Sequence, residues 1–315
     1  MKTIIPLFPI FLIINPVTRP KVEPEKPCDC NFINDYYPLH SGILEYERGN
    51  LEAAYTTFKK AFDKCTPKNT LYIYELDKMG EICVELNKLE EAEQYIRLSC
   101  VKGLNIEYLV EDSLYMDFFN SNYGKQLLAD KNDLREEYLS SLNMELREEL
   151  FQMKSDDQKY RQSGRDYFNE NIDKVSEIGK RHTERLIQIF DSIGYPNSEL
   201  VGNHTLDGGN ITIDIILLHT EDSIRMNFFV PKMQEFVKSG TCDPGVVATM
   251  IDQHHLYNKR PQIYGTYVKP NNTYSNMIGR DSVNMNRISI GLPTLDQKEE
   301  LDSLKKINYP WLDGE

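Results

Sequence analysis

The chain has 315 residues, 40% hydrophobic and 27% charged, with 15 prolines and 17 glycines, a composition that excludes a collagenous or disordered chain and has room for two modest domains. The formal net charge is −13, and both halves of the chain are acidic. No basic platform for phosphate contacts is present, which argues against nucleic-acid binding.

Residues 1–17 open with Lys2 and an apolar run from Ile4 to Val17. The run is short for a membrane span and suited to a signal-peptide core or an anchor. Export to the periplasm or the medium is therefore expected, with cytoplasmic residence as the alternative and membrane contact only through this segment if it is uncleaved. Residues 18–33, rich in proline and charge, read as a linker. The six cysteines, at 28, 30, 65, 83, 100 and 242, are free to pair if the chain is exported, but their spacing fixes no connectivity. Cys28-Asp29-Cys30 lacks a second ligand pair at zinc spacing and reads as linker thiols, so no metal is expected.

Residues 34–143 carry an internal repeat. Gly42, Gly49, Leu51, Ala54 and Phe58 recur as Gly80, Asn87, Leu89, Ala92 and Ile96. Small residues at helix crossings, bulky ones between them and a Gly or Asn at the turn resemble the tetratricopeptide helix-turn-helix unit. Residues 104–142 should add helices that cap the stack, packed through Tyr115, Phe118, Phe119 and Tyr123. Such a stack implies either a surface for a peptide or protein partner or a rigid spacer.

Residues 144–315 form the second region. Leu146, Leu150, Phe151 and Met153 mark a helix over 144–158, and apolar residues from Ile172 to Phe190 mark a longer one that Gly194 and Pro196 stop. The run Ile211 to Leu218 suits a buried strand or a buried helix by its pattern alone. Pro244 to Tyr257 reads as a helix, Gln262 to Val268 as a strand, and Asn271-Asn272 as the start of a loop returning through Met277-Ile278.

Asp157-Gln158, Arg161, Gly194-Tyr195-Pro196, Val201-Gly202, His219, Asp252, Gln262 to Thr266 and Arg287 to Pro293 together resemble a bacterial domain-of-unknown-function family, number 6624. The resemblance covers roughly residues 144–312 and favours the helical reading of 211–218. It implies no reaction. The expected fold is mainly α: tetratricopeptide-like hairpins followed by a mostly helical domain with a small β element near Gln262.

No phosphate-cradling glycine loop, Gly-x-Ser-x-Gly elbow or His-Glu-x-x-His is present. Polar residues set in apolar segments remain, and these must be paired or functional. His219, Asp252, Gln262 and Arg287 are the candidates for chemistry, with Arg161, Gln158 and Tyr264 as candidates for holding a ligand. Arg161, His219, Asp252, Gln262 and Arg287 are expected to converge, with Asp252 neutralising an arginine. His254-His255 look like metal ligands at first, but adjacent helical residues diverge too far to share one ion. No cofactor is implied. A binding or interaction protein is the leading functional expectation. An enzyme, possibly a hydrolase, is the alternative, and an immunity or accessory protein a third.

Overall fold

A computed structural model describes residues 30–68, 73–209, 211–269 and 273–310. The expected signal or anchor at 1–17, Cys28 and the Asn271-Asn272 loop lie outside the described residues. Among the described residues no helix is long and apolar enough to cross a membrane.

The fold is mainly α. A single turn α1 (Phe32–Asp35) precedes two helical hairpins, α2 (Leu39–Glu47) with α3 (Leu51–Phe62) and α4 (Tyr74–Glu85) with α5 (Leu89–Val101). The repeat explains the crossings. A Cβ on Gly42 would sit 2.9 Å from the Phe58 ring, and one on Gly80 3.0 Å from Ile96, so glycine lets these helices approach without displacing either side chain. Ala54, Phe58 and Ala92 are completely buried, and a side chain the size of Phe58 contributes roughly 1.5–3 kcal/mol when so buried. Gly49 (φ 79°) and Asn87 (φ 54°) turn the two hairpins in left-handed backbone, the conformation that Gly and Asn adopt at least cost.

Residues 30–33, expected in the linker, are part of the fold. Cys30 forms a disulfide with Cys65, tying the entry of the chain to the end of α3, while Cys83, Cys100 and Cys242 are buried free thiols. Beyond α5, helices α6 (Asn122–Ala129) and α7 (Lys131–Ser140) cap the stack. Tyr115, Phe118 and Phe119 join its core as expected, but Tyr123 is exposed.

The second core gathers around α8 (Met144–Gln158), α9 (Ile172–Ser192), α10 (Asp214–His219), α11 (Val230–Lys238) and α12 (Pro244–Tyr257). The run 211–218 forms an irregular entry, 211–213, followed by α10. Gly194 stops α9 beyond its last turn with φ 83°, and Asp243 caps α12 through the Gly245 amide. Helices α13 (Arg280–Ser289) and α14 (Leu295–Asn308) complete the chain. α14 leaves the second core and packs on α2, where Leu301 joins the first core, Arg48 pairs with Glu300, and Asn308 donates to the Glu47 carbonyl at 2.8 Å. α14 and α1 thus brace the two cores against each other, because α1 in turn contributes Ile33 to the second core.

The strand expected at Gln262 to Val268 does not form. Among the described residues only two isolated bridges occur there, Gln262 with Met277 and Val268 with Tyr274. Gly265 has φ 67°, which breaks the pleat, and the amides of Ile263, Tyr264 and Thr266 are committed to the Asp252 carboxylate. Donors so used cannot serve a ladder.

Candidate functional site

In α8, Leu146, Leu150, Met153 and Asp157 follow one another at helical spacing, and all four are buried. An acid therefore occupies the last position of the core-facing stripe. Its partners are side chains: His219 Nδ1 at 2.7 Å from Oδ2, Gln158 Nε2 donating to the same oxygen at 2.7 Å, and Arg161 Nε at 3.5 Å from Oδ1. Burial alone would raise the Asp157 carboxyl. The hydrogen bond and charge of His219, with help from Arg161 and Gln158, outweigh it and hold the group below its usual range.

His219 stands at the C-terminal end of α10, and its position is enforced from behind. Arg225, 2% exposed, donates to the carbonyls of Leu218 at 3.1 Å and Thr220 at 2.9 Å, on either side of His219. Arg225 lies in a wide π-turn, Arg225–Phe229, just ahead of Pro231, whose missing amide removes an ordinary helical hydrogen bond. The His219 side chain remains 23% exposed, and among the described residues its Nε2 has no hydrogen-bond partner. Arg161 is similarly half-open and lies over the Phe168 ring, with 5.5 Å from guanidinium to centroid. His182 of α9 is buried beside this group. Desolvation and the Arg181 charge push its pKa down, leaving a neutral imidazole.

Asp222, three residues after His219, accepts from Arg225 at 2.5 Å and meets His254 Nδ1 at 2.7 Å. His254 Nε2 in turn meets Arg260 at 2.6 Å, so both nitrogens of that ring are engaged. His255 Nδ1 instead faces the Pro261 carbonyl at 2.9 Å. The two adjacent histidines serve different partners.

Asp252, Gln262 and Arg287 form a separate network. Asp252 accepts from the amides of Ile263 (2.8 Å), Tyr264 (3.0 Å) and Thr266 (2.9 Å) and from the Thr266 hydroxyl (2.9 Å). Gln262 accepts from the Tyr267 amide at 2.7 Å and donates to the carbonyls of Tyr267 and Ser275. Arg287 donates to the carbonyls of Pro293 at 2.5 Å and Tyr264 at 2.9 Å, and the Tyr264 ring packs in the second core. These side chains substitute for strand pairing and hold an irregular segment in place. Among the described residues Asp252 makes no ion pair with an arginine, because loop amides already occupy the carboxylate; its charge still acts on Arg287, where it opposes the lowering by burial.

The sequence candidates therefore divide. His219, Arg161 and Gln158 come together around Asp157, whereas Asp252, Gln262, Arg287 and Tyr264 make the loop clamp. The i,i+4 spacing of Asp157 and Arg161 is by itself that of an ordinary surface ion pair; the signal that places Asp157 inside is its register with Leu146, Leu150 and Met153. Nothing in the local pattern announces Arg225 or His182.

The chain belongs to a family of unknown function, DUF6624, whose family model matches residues 144–305. No curated protein and no solved structure matches it. The matched span contains both networks.

Proposed function

We propose that the C-terminal domain is catalytic and that His219 is its proton-transfer group. The observation that carries this reading is the Asp157–His219 hydrogen bond at 2.7 Å on a ring whose Nε2 is unpartnered. With Nδ1–H given to the carboxylate, the lone pair sits on Nε2, the tautomer required of a general base. Arg161, half-open beside it with no second carboxylate, is placed to hold an anionic oxygen. A water activated at Nε2 against an ester whose anionic group lies on Arg161 amounts to hydrolysis. The helical hairpins then act as a rigid extension, supported by the packing of α14 on α2. The Cys30–Cys65 disulfide supports an exported location, since such bonds persist in oxidising compartments.

The test is turnover of p-nitrophenyl phosphate, bis-p-nitrophenyl phosphate and p-nitrophenyl acetate by the purified protein and by His219→Gln. Loss of a general base should lower kcat/KM by about 10²–10⁴-fold. Absence of turnover on all three esters overturns the hydrolytic reading, and equal turnover in His219→Gln overturns the assignment of the base.

A further inference from the structure

A cavity of about 490 Å³ lies between the first helical region and the second core, a volume suited to a small organic ligand. It is distinct from the His219 centre. Leu218 is on its wall, but Asp157, Arg161 and His219 are not. The lining brings three carboxylates, Glu75 of α4, Asp214 of α10 and Asp243 at the start of α12, against a single ammonium, Lys68.

These carboxylates are poorly satisfied. Asp214 accepts from the Tyr195 hydroxyl at 3.1 Å through Oδ1, and among the described residues no other hydrogen bond reaches its carboxylate. Glu75 Oε2 is cut off from solvent and has no hydrogen-bond partner among the described residues. Asp243 uses Oδ1 on its own helix terminus at 2.6 Å. Burial pushes Asp214 up to about 6, with Asp243 adding repulsion and Tyr195 and Lys154 opposing it. Burial also raises Glu75, with Asp243 again adding and Lys68 opposing. The pocket is partly open and Asp243 is exposed, but the surplus of negative charge on the two more deeply set carboxylates still costs free energy until a cation enters.

We infer that this cavity binds a compact organic cation, an aliphatic amine or guanidinium compound. A bare metal ion fits less well. Among the described residues the sole group of three His, Cys, Asp or Glu ligand atoms within 4.8 Å of one another is Cys30, Asp35 and Cys65, so the cavity's three carboxylates do not gather as a preformed ligand set for one ion. An ammonium or guanidinium instead meets one carboxylate at a time, while Leu218, Ile211 and Val246 on the wall receive its methylene stem.

Thermal shift and calorimetry on the full chain, with 1,4-diaminobutane and agmatine as probes at constant ionic strength, test this. The expected result is a saturable rise in Tm with proton release near pH 6, as the cation stabilises ionised Asp214. Asp214→Asn, which keeps an acceptor for Tyr195, should weaken binding at least about tenfold. Glu75→Gln should do the same, and His219→Gln should leave binding unchanged, which separates this site from the catalytic reading. No saturable shift with either amine, saturation by Mg²⁺ in their place, or undiminished binding in both carboxamide variants would each overturn the inference.

Discussion

Asp157 and Asp252 are both buried carboxylates in the second core, yet they are satisfied in opposite ways. Asp252 is wholly buried and spends its oxygens on three amides and a hydroxyl of the segment 263–266. Asp157 spends its oxygens on His219, Arg161 and Gln158, side chains that themselves reach solvent. A carboxylate tied to backbone fixes the course of the chain. One tied to a half-open imidazole fixes a ring orientation and leaves a reactive atom available. The difference separates scaffold from chemistry within a single core.

The sharpest way to break this comparison is to remove Asp252. Asp252→Ala orphans three amides and should destabilise the protein by about 3–5 kcal/mol, because bonds to a charged group are worth more than neutral ones and the loop has no ladder to replace them. Gln262→Ala loses three weaker bonds and should cost about 1–3 kcal/mol. Urea denaturation reads both. A cost below about 0.5 kcal/mol for Asp252→Ala would show that the clamp does not hold the loop.

The pH dependence sharpens the same contrast. Asp157 has a folded-state pKa below its unfolded value, so its contribution is complete above about pH 4 and is lost as pH falls through the folded pKa. Asp77 and Asp214 behave oppositely, pushed up to about 7 and about 6, chiefly by burial. The folded state then holds protons that the unfolded chain has released, and stability falls as pH rises from about 4 to about 7. Melting temperature should therefore peak at about pH 4 and fall toward neutrality. Asp77→Asn should flatten the alkaline side, raising stability at pH 8 by on the order of 2 kcal/mol. A Tm that climbs from pH 5 to pH 8 would contradict these assignments.

Much of the architecture was legible because it follows from spacing. Gly42 with Ala54, and Gly80 with Ala92, could be matched across the repeat since helix crossings demand small residues at set intervals. Gly194 and Pro196 marked the end of α9 by backbone chemistry alone. The segment at Gln262 was misread as a strand because its side chains suit a pleat, while the competing acceptor, Asp252, lies on the preceding helix. The site was half legible for the same reason. Polar residues in apolar runs could be selected as a set, but pairing depends on tertiary geometry, which sends His219 to Asp157 and leaves Arg287 to carbonyls. The Cys30–Cys65 bridge likewise depends on tertiary geometry, which brings residue 30 to the end of α3.

His219→Gln carries the smallest expected effect on stability and the most discriminating one. The ring sits at an open edge, and Asp157 keeps Arg161 and Gln158 when it is replaced. A glutamine amide can still donate toward the carboxylate, so the loss should be about 1 kcal/mol or less. Glutamine cannot take up a proton at neutral pH, so any reaction that relies on Nε2 should nevertheless fall by orders of magnitude. Denaturation and turnover measured on the same preparation separate the two readings. If His219→Gln costs as much stability as Asp252→Ala, Asp157 is a second clamp and the distinction between the two carboxylates disappears. If stability holds while turnover collapses, the half-open imidazole is the feature that distinguishes a reactive centre from the scaffold around it.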